Sequence, residues 1–502
     1  MIKHLILAII FVITLVNEND GQSIDSTFGN NGIEQINFGF FPSYFSDMEF
    51  QNDGKILMVS YNSQVIDPLM ITRRLPNGTA DNSFGVNGQV RTTFGFQYCD
   101  TYEIEQLSDG GILIAGMANG NSAMLKLLEN GSIDSTFGTN GRVIYSFGPS
   151  VGSRIRSLEI DQNDRIIAVG EAYNYDNLSF DLAAIRFNSN GSVDSSFGTS
   201  GNVKIDMQGR NDLGSCSALL PDGKILIAGN AMNNEGNSNF AMMRLTPDGT
   251  LDLSFGNSGK VILTINSGYN ETFENLHILE DQSILAVGTS AGDFAVLKFD
   301  ASGNQIQAFG NQGYTTIDFD DYQDNGFEIL VDNENRILLG GYGSAVAVGG
   351  LFHAALVRLT PDGQMDATFG TNGKWINTLG QTGSEIYSMQ WLPDGKLQIA
   401  GANIPLNQLD VQPFLARIIL DNPMGIEFEI DVTNRIYPNP AKEVIYINKS
   451  LSNEPFNILD INGKSILTGT IENSKINVDL LPNGTYFLRR NSGINQKFIL
   501  IR

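Results

Sequence analysis

Six acidic residues recur at matching places in the chain: Asp47, Glu49, Glu103, Glu105, Glu159 and Glu328. Each lies four or six residues ahead of a turn, and the positions between them, such as Met48, Ile104 and Leu158, are apolar. Alternation of that kind puts the carboxylates on one side of a strand. If that side meets a shared axis, the first five would crowd one wall of a channel. Oxygen donors at such density suit a hard cation such as Ca²⁺, or a cationic ligand, although a hydrated wall needs no ligand at all. Paired carboxylates also serve glycoside hydrolysis, yet nothing in the spacing singles out an acid and a nucleophile.

A second set of polar and aromatic residues lies in segments that differ from copy to copy. Tyr173, Tyr175 and Asp176 fall in 171–178, and Tyr342 and His353 bound 342–353. Irregular loops on a rigid scaffold are where binding concentrates, and aromatics beside Asn and Asp suit a glycan or a protein surface. Other chemistry is poorly represented. Gly148-Pro-Ser-Val-Gly152 has the G-x-S-x-G spacing but lies between two strands, whereas the nucleophile elbow needs a strand-to-helix turn and a His partner. The chain has three His, His4 in the leader and then His277 and His353, which leaves little from which to build a His-based metal site. The acidic run 318–324 departs from the EF-hand pattern. No catalytic residue and no cofactor beyond the Ca²⁺ named above is assigned.

The elements that would position these residues follow from a repeat. The stretch D-x-x-F-G-x-x-G places its Phe at Phe28, Phe84, Phe137, Phe197, Phe255, Phe309 and Phe369, at intervals of 53–60 residues. A fixed period of this length marks one supersecondary unit copied many times. Each copy reads as four short strands, illustrated by 259–265, 216–224, 225–229 and 240–245, joined by Asp-Gly or Asn-Gly turns that favour hairpins. Strands apolar on both faces must be covered on both sides, and radial stacking achieves this while leaving few edges. The expectation is an all-β, seven-bladed β-propeller over 22–420. The first strand of the chain would complete the last blade. A linear solenoid is the alternative; it would need capping repeats.

A base stands eight residues before the motif Asp: Arg73 to Asp81, Lys126 to Asp134, Arg186 to Asp194, Arg244 to Asp252 and Arg358 to Asp366. In the sixth copy Ile306 replaces the Asp and leaves Lys298 without it. Features common to all copies belong to the scaffold, so a site should lie where the copies differ.

These repeats resemble the delta-60 repeat family of β-propellers over roughly residues 23–420, through 251–256, 221–229 and 240–245. The resemblance implies the propeller fold and no particular biochemistry.

The 502 residues carry a net charge of -24, which argues against nucleic acid or an anionic membrane as partner. Cys99 and Cys216 are not repeat equivalents and are expected free and buried; a disulfide between them is the alternative. Met1–His4 followed by the apolar run 5–16 suits a signal peptide over 1–21, too short to span a bilayer. No transmembrane segment is expected in the mature chain. After a linker at 421–436 a basic module begins at Tyr437, with a net charge of about +3. Its strands and Asn-Gly turns read as a small β-sandwich. Through Tyr437-Pro-Asn-Pro-Ala441, 458–464, 481–486 and 497–502 it resembles the type A sorting domain of the type IX secretion system. An accessory carbohydrate-binding sandwich is the other reading of that module. The resemblance implies the type IX machinery as partner of 437–502, and a secreted or outer-membrane-surface location on a Gram-negative cell. Three functions stay open: a non-catalytic binding or adhesion propeller for glycan or surface protein, a polysaccharide-acting enzyme using the channel carboxylates, and a structural surface component.

Overall fold

The computed structural model describes residues 22–36, 44–51, 53–62, 68–148, 152–319, 323–344, 352–379, 383–403 and 411–420, with 436–437, 444–447, 455–459, 465–471, 475–482, 484–490 and 495–500 beyond them. The signal peptide expected over 1–21, the linker up to residue 435, and the centre of the G-x-S-x-G segment lie outside the described residues. Among the described residues there is no helix, and none therefore long or apolar enough to cross a membrane.

The chain divides into two compact units, 1–421 and 422–502. The first is a seven-bladed β-propeller. Six blades are four-stranded antiparallel sheets with strands in chain order: 44–92, 99–145, 153–205, 212–263, 271–317 and 325–377. The seventh uses Ser384–Trp391, Leu397–Asn403 and Gln412–Leu420, and the chain start supplies its outer edge. Gln22 to Ile24 pair with Leu420 to Ile418, and Ile33 to Gln35 pair with Ala416 to Phe414. The clasp is fixed by side chains too: Lys396 reaches Asp25 at 2.8 Å. Closure removes the exposed end faces that a solenoid would have to cap.

The repeat motif joins each blade to the next. All seven motif Phe side chains are buried. In blade 3 the Arg186 guanidinium lies 4.8 Å over the Phe197 ring, pairs with Asp194 at 2.8 Å, and donates to the Pro247 carbonyl of the following blade. The Gly198 amide donates to the carbonyl of Asp248 in that same neighbouring turn. Gly249 of the turn sits against the ring; a Cβ there would come within 2.8 Å of Phe197, at a φ of +84°. The expected base–acid pairs form at 2.7–2.8 Å for the four Arg, and Lys126 divides itself between Asp134 at 3.4 Å and Asp109 at 2.7 Å. Lys298, whose Asp is replaced by Ile306, lies 5.9 Å over the Phe309 ring. Cys99 and Cys216 are both free and buried, as expected.

The second unit is a β-sandwich. A three-stranded sheet (Ile436–Tyr437, Val444–Ile447, Lys475–Asn477) faces a four-stranded one (Ser465–Thr470, Pro455–Leu459, Gly484–Arg490, Asn495–Leu500). Its core holds Ile445, Ile458, Ile471, Ile476, Val478, Leu481, Tyr486 and Leu488.

Candidate functional site at the propeller axis

The first strand of each blade is innermost, and these seven strands ring a cavity of about 650 Å³. Their local geometry is set by one irregularity. Every inner strand slips register against its neighbour at one residue: Ser46, Tyr102, Arg156, Ser215, Glu274, Phe327 and Tyr387 in blades 1 to 7. Such a bulge leaves one residue unpaired and re-aims its side chain. All seven bulged residues line the axial cavity.

The sequence contains a physical cause for the bulge. In blade 5 Gly288 lies opposite it, and a Cβ on Gly288 would stand 1.9 Å from the Thr272 carbonyl oxygen. In blade 5 the inner strand therefore comes in where a glycine leaves room. Gly116, Gly170, Gly229, Gly341 and Gly401 hold the same place in blades 2, 3, 4, 6 and 7, with a carbonyl 1.8–2.1 Å from the absent Cβ. Blade 1 has Ser60 there.

The bulged residues and their neighbours form two zones. Nearer the face of the variable loops, aromatic rings run in contact across blade 6 and on to blades 7 and 1. Phe352 meets Tyr342 with centroids 4.6 Å apart, Tyr342 meets Phe327 at 5.7 Å, and Phe327 stacks on Tyr387 at 4.9 Å. Tyr387 in turn meets Phe45 at 6.0 Å, and its hydroxyl donates to Glu385. Tyr44 and Tyr61 stack at 5.4 Å on the same rim. Arg156 lies 5.0 Å over the Tyr102 ring. The buried Glu171 carboxylate holds it, accepting from Arg156 Nε at 2.9 Å and pairing with Arg154 at 2.8 Å. Glu274 faces the same cavity. Desolvation lifts its carboxyl to about 7, with the Arg156 guanidinium pulling the other way.

Deeper along the inner strands stand the carboxylates anticipated from the alternation. Asp47, Glu49, Glu103, Glu105 and Glu328 line the cavity; Glu159 is not among the lining residues and is instead reached by the Ser217 hydroxyl at 3.2 Å. Asp47 accepts from the Met48 amide at 2.7 Å and the Ile104 amide at 3.1 Å, tying blade 1 to blade 2. Glu328 accepts from the Ile329 amide at 2.9 Å and from Asn275 Nδ2 at 2.8 Å. Desolvation raises every one of them. It brings Asp47 to about 7 against its two amide bonds, Glu49 to about 7 with help from Asp47, and Glu159 to about 7. Glu328 reaches about 8 and Glu105 about 9, the latter pushed further by Glu49, Asp47 and Glu159. Glu103 stands well above the ordinary range from burial and then from Asp47, Glu105 and Glu159. All six keep some accessible surface, and all but Glu159 line the cavity. At neutral pH the wall therefore carries much less negative charge than its composition suggests.

The loop residues fall into different places. Tyr175 and Asp176 are exposed, and Tyr173 packs edge-on against Tyr175 and Phe180 with centroids 5.0 and 5.4 Å apart. Tyr342, on the second strand of blade 6, packs against Phe327 behind the cavity lining. His353 is 1% exposed, inside the strand Phe352–Leu359, and so presents no loop surface. The residues that sequence reasoning passed over are the bulged ones, Tyr102, Arg156, Glu274, Phe327 and Tyr387 above all. Groups of three acidic oxygens within 4.8 Å of one another occur twice among the described residues, and neither group contains a channel carboxylate.

A family profile described as a domain of unknown function (DUF5122) β-propeller matches residues 107–137, 162–197, 220–255 and 335–369. Each match ends on a motif Phe or its equivalent, at Phe137, Phe197, Phe255 and Phe369. A second profile, the secretion system C-terminal sorting domain, matches 435–501. No curated protein matches the sequence. Among solved structures the chain is similar to PorZ, an essential surface component of the type IX secretion system of Porphyromonas gingivalis, at 13% identity and a TM-score of 0.41. That match covers 91% of this chain and 59% of PorZ, so the chain spans about three fifths of it. A streptogramin B lyase is similar at 13% identity and a TM-score of 0.47, over 77% of this chain and 97% of the lyase. Drosophila Semaphorin 1a, extracellular domains 1–2, gives 11% identity and 0.43, over 79% and 90%. The sorting domain makes this a protein of the cell exterior, secreted or displayed on the surface of a Gram-negative bacterium, and implies the type IX machinery as its export partner.

Proposed function

We propose that the protein is a non-catalytic binding propeller that takes a neutral glycan at the axial mouth. The observation that carries this reading is the set of seven bulged residues. They occupy one structural position, carry five side-chain types among seven blades, and converge on one cavity. Scaffold positions repeat from blade to blade; this ring does not, and variation on a repeated frame is what a specific site requires. Aromatic faces from Tyr102, Phe327 and Tyr387 offer flat apolar surface, and Arg156 and Glu274 offer directional donors and acceptors beside them. A sugar ring, apolar on its faces and hydroxylated at its edge, complements that combination. The cation of the cavity lining, Arg156, is already held by Glu171, and the carboxyls below add no positive charge to balance an anionic glycan.

The reading is tested by screening the purified protein against arrayed neutral and acidic saccharides. Retention of neutral saccharides, lost in Arg156→Ala and Tyr102→Ala variants that fold normally, is the expected result. Turnover of a bound polymer, abolished by Glu49→Gln or Glu105→Gln, would replace it with an enzymatic function. Absence of any saccharide binding would remove it.

A further inference from the structure

Away from the axis, three aspartates from two adjacent blades meet at the variable-loop face. Asp181 opens the third strand of blade 3, Asp206 follows its outer strand, and Asp212 begins the inner strand of blade 4. One carboxylate oxygen from each lies within 4.8 Å of the others. Asp181 and Asp212 are buried, at 1% and 0% exposure, while Asp206 is the most accessible of the three and open to solvent. Asp181 is held by amide donors, Asn174 Nδ2 at 2.6 Å and Asn177 Nδ2 at 3.1 Å. Asp212 accepts from the Met207 amide at 2.6 Å through Oδ2, but its Oδ1 is buried with no hydrogen-bond partner. A buried carboxylate oxygen left unpartnered is costly, and here it belongs to a group facing two further carboxylates. The neighbouring Lys260 ammonium attracts Asp212 but gives that oxygen no hydrogen bond, donating instead to the main-chain carbonyl of Asp206 at 2.6 Å.

We infer that Asp181, Asp206 and Asp212 form a Ca²⁺ site that staples blade 3 to blade 4. All donors are hard oxygens, the class that Ca²⁺ prefers. Oxygens within 4.8 Å of one another need move by no more than about 0.3 Å each to share a centre at the 2.3–2.6 Å typical of Ca²⁺, and the flexible coordination of Ca²⁺ tolerates that, where Mg²⁺ demands a stricter octahedron at about 2.0–2.1 Å. The exposed Asp206 gives the ion an entry path and leaves room for water ligands. Asp293, Asp318 and Asp324 repeat the arrangement between blades 5 and 6. There, however, Asp324, which stands where Asp212 does, has both oxygens taken by the Ser344 and Phe319 amides, at 2.8 and 2.6 Å, and so lacks the unpartnered oxygen of Asp212. The assignment is therefore confined to the blade 3–4 triad.

The experiment is calorimetric titration of the full chain, freed of metal with chelator, with CaCl₂, alongside its thermal unfolding midpoint. An extracellular site of this kind binds with Kd on the order of 10⁻⁴–10⁻³ M, and saturating Ca²⁺ raises the midpoint because only the folded state assembles the ligands. Asp206→Asn, on the exposed ligand, is expected to weaken binding at least tenfold without disturbing the metal-free midpoint. Asp212→Asn is expected to abolish the Ca²⁺ response while leaving the metal-free protein as stable or more so. Glu103→Gln in the channel is expected to bind Ca²⁺ as the native chain does. No binding up to about 10 mM, affinity unchanged in Asp206→Asn and Asp212→Asn, or a response lost in Glu103→Gln would each overturn the assignment.

Discussion

Replacing Glu105 by Gln should stabilise the protein at neutral pH and do almost nothing at pH 4. Glu105 is lifted from 4.5 to about 9, by desolvation first and then by Glu49, Asp47 and Glu159. Its folded-state pKa is raised, so the folded protein holds a proton that the unfolded chain has released between those two values. Stability from this group is complete below about pH 4.5 and falls as pH climbs toward 9. At about pH 7.5 the gap above the unfolded value is three pH units, or about 4 kcal/mol before screening. Glu105 retains surface facing the channel, and halving the figure for solvent there leaves about 2 kcal/mol. With an unfolding entropy of about 2.1 cal/mol/K per residue for a unit of this size, the midpoint should rise about 2–3 °C in Glu105→Gln at pH 7.5. Thermal unfolding followed by circular dichroism from pH 4 to 9 reads this directly. A variant less stable than the native chain at pH 7.5, by the same margin as at pH 4, would show that the carboxylate is ionised and paired, and would refute the reasoning.

Other consequences of the fold are open to similar tests. Phe197→Ala empties a fully buried ring site under Arg186 and should cost about 3–5 kcal/mol in denaturant titration. Gly288→Val forces a side chain onto the Thr272 carbonyl; it should cost about 1–3 kcal/mol and displace Glu274, seen as weakened saccharide binding. Removing residues 22–36 strips the outer edge from blade 7 and should lower the unfolding midpoint and promote association through the exposed strand Gln412–Leu420. Export should fail when residues 435–502 are deleted, with the propeller retained inside the cell envelope on fractionation.

The blade count was legible because the motif Phe is an obligate plug: each blade needs one, and seven are present and buried. The clasp followed from chain order, since the repeats open on an outer-type strand and close on a third-strand type, and the chain start docks on Gln412–Leu420. The carboxylates at the axis were legible from period-two alternation, which holds over Asp47, Met48 and Glu49 with Met48 buried. That same rule hid the bulged ring. Strict alternation would turn Ser46 away from a face that carries Asp47, whereas the register shift lets both line the cavity. The warning was present as the repeated strand glycines, Gly229 and its counterparts, where an apolar strand gains nothing from Gly unless a backbone approaches closely. His353 misled for a different reason. Its segment looked like loop, but the residue is already inside a strand, one position after Phe352.

The central claim is that the ligand sits on the bulged ring at the axis and not on the outer loops. Calorimetric affinity for the best saccharide from the array, compared across Arg156→Ala, Tyr102→Ala and Tyr175→Ala, tests it most directly. The account predicts at least a tenfold loss in the first two and an unchanged Kd in the third. Full affinity in Arg156→Ala and Tyr102→Ala, with loss in Tyr175→Ala, would contradict it.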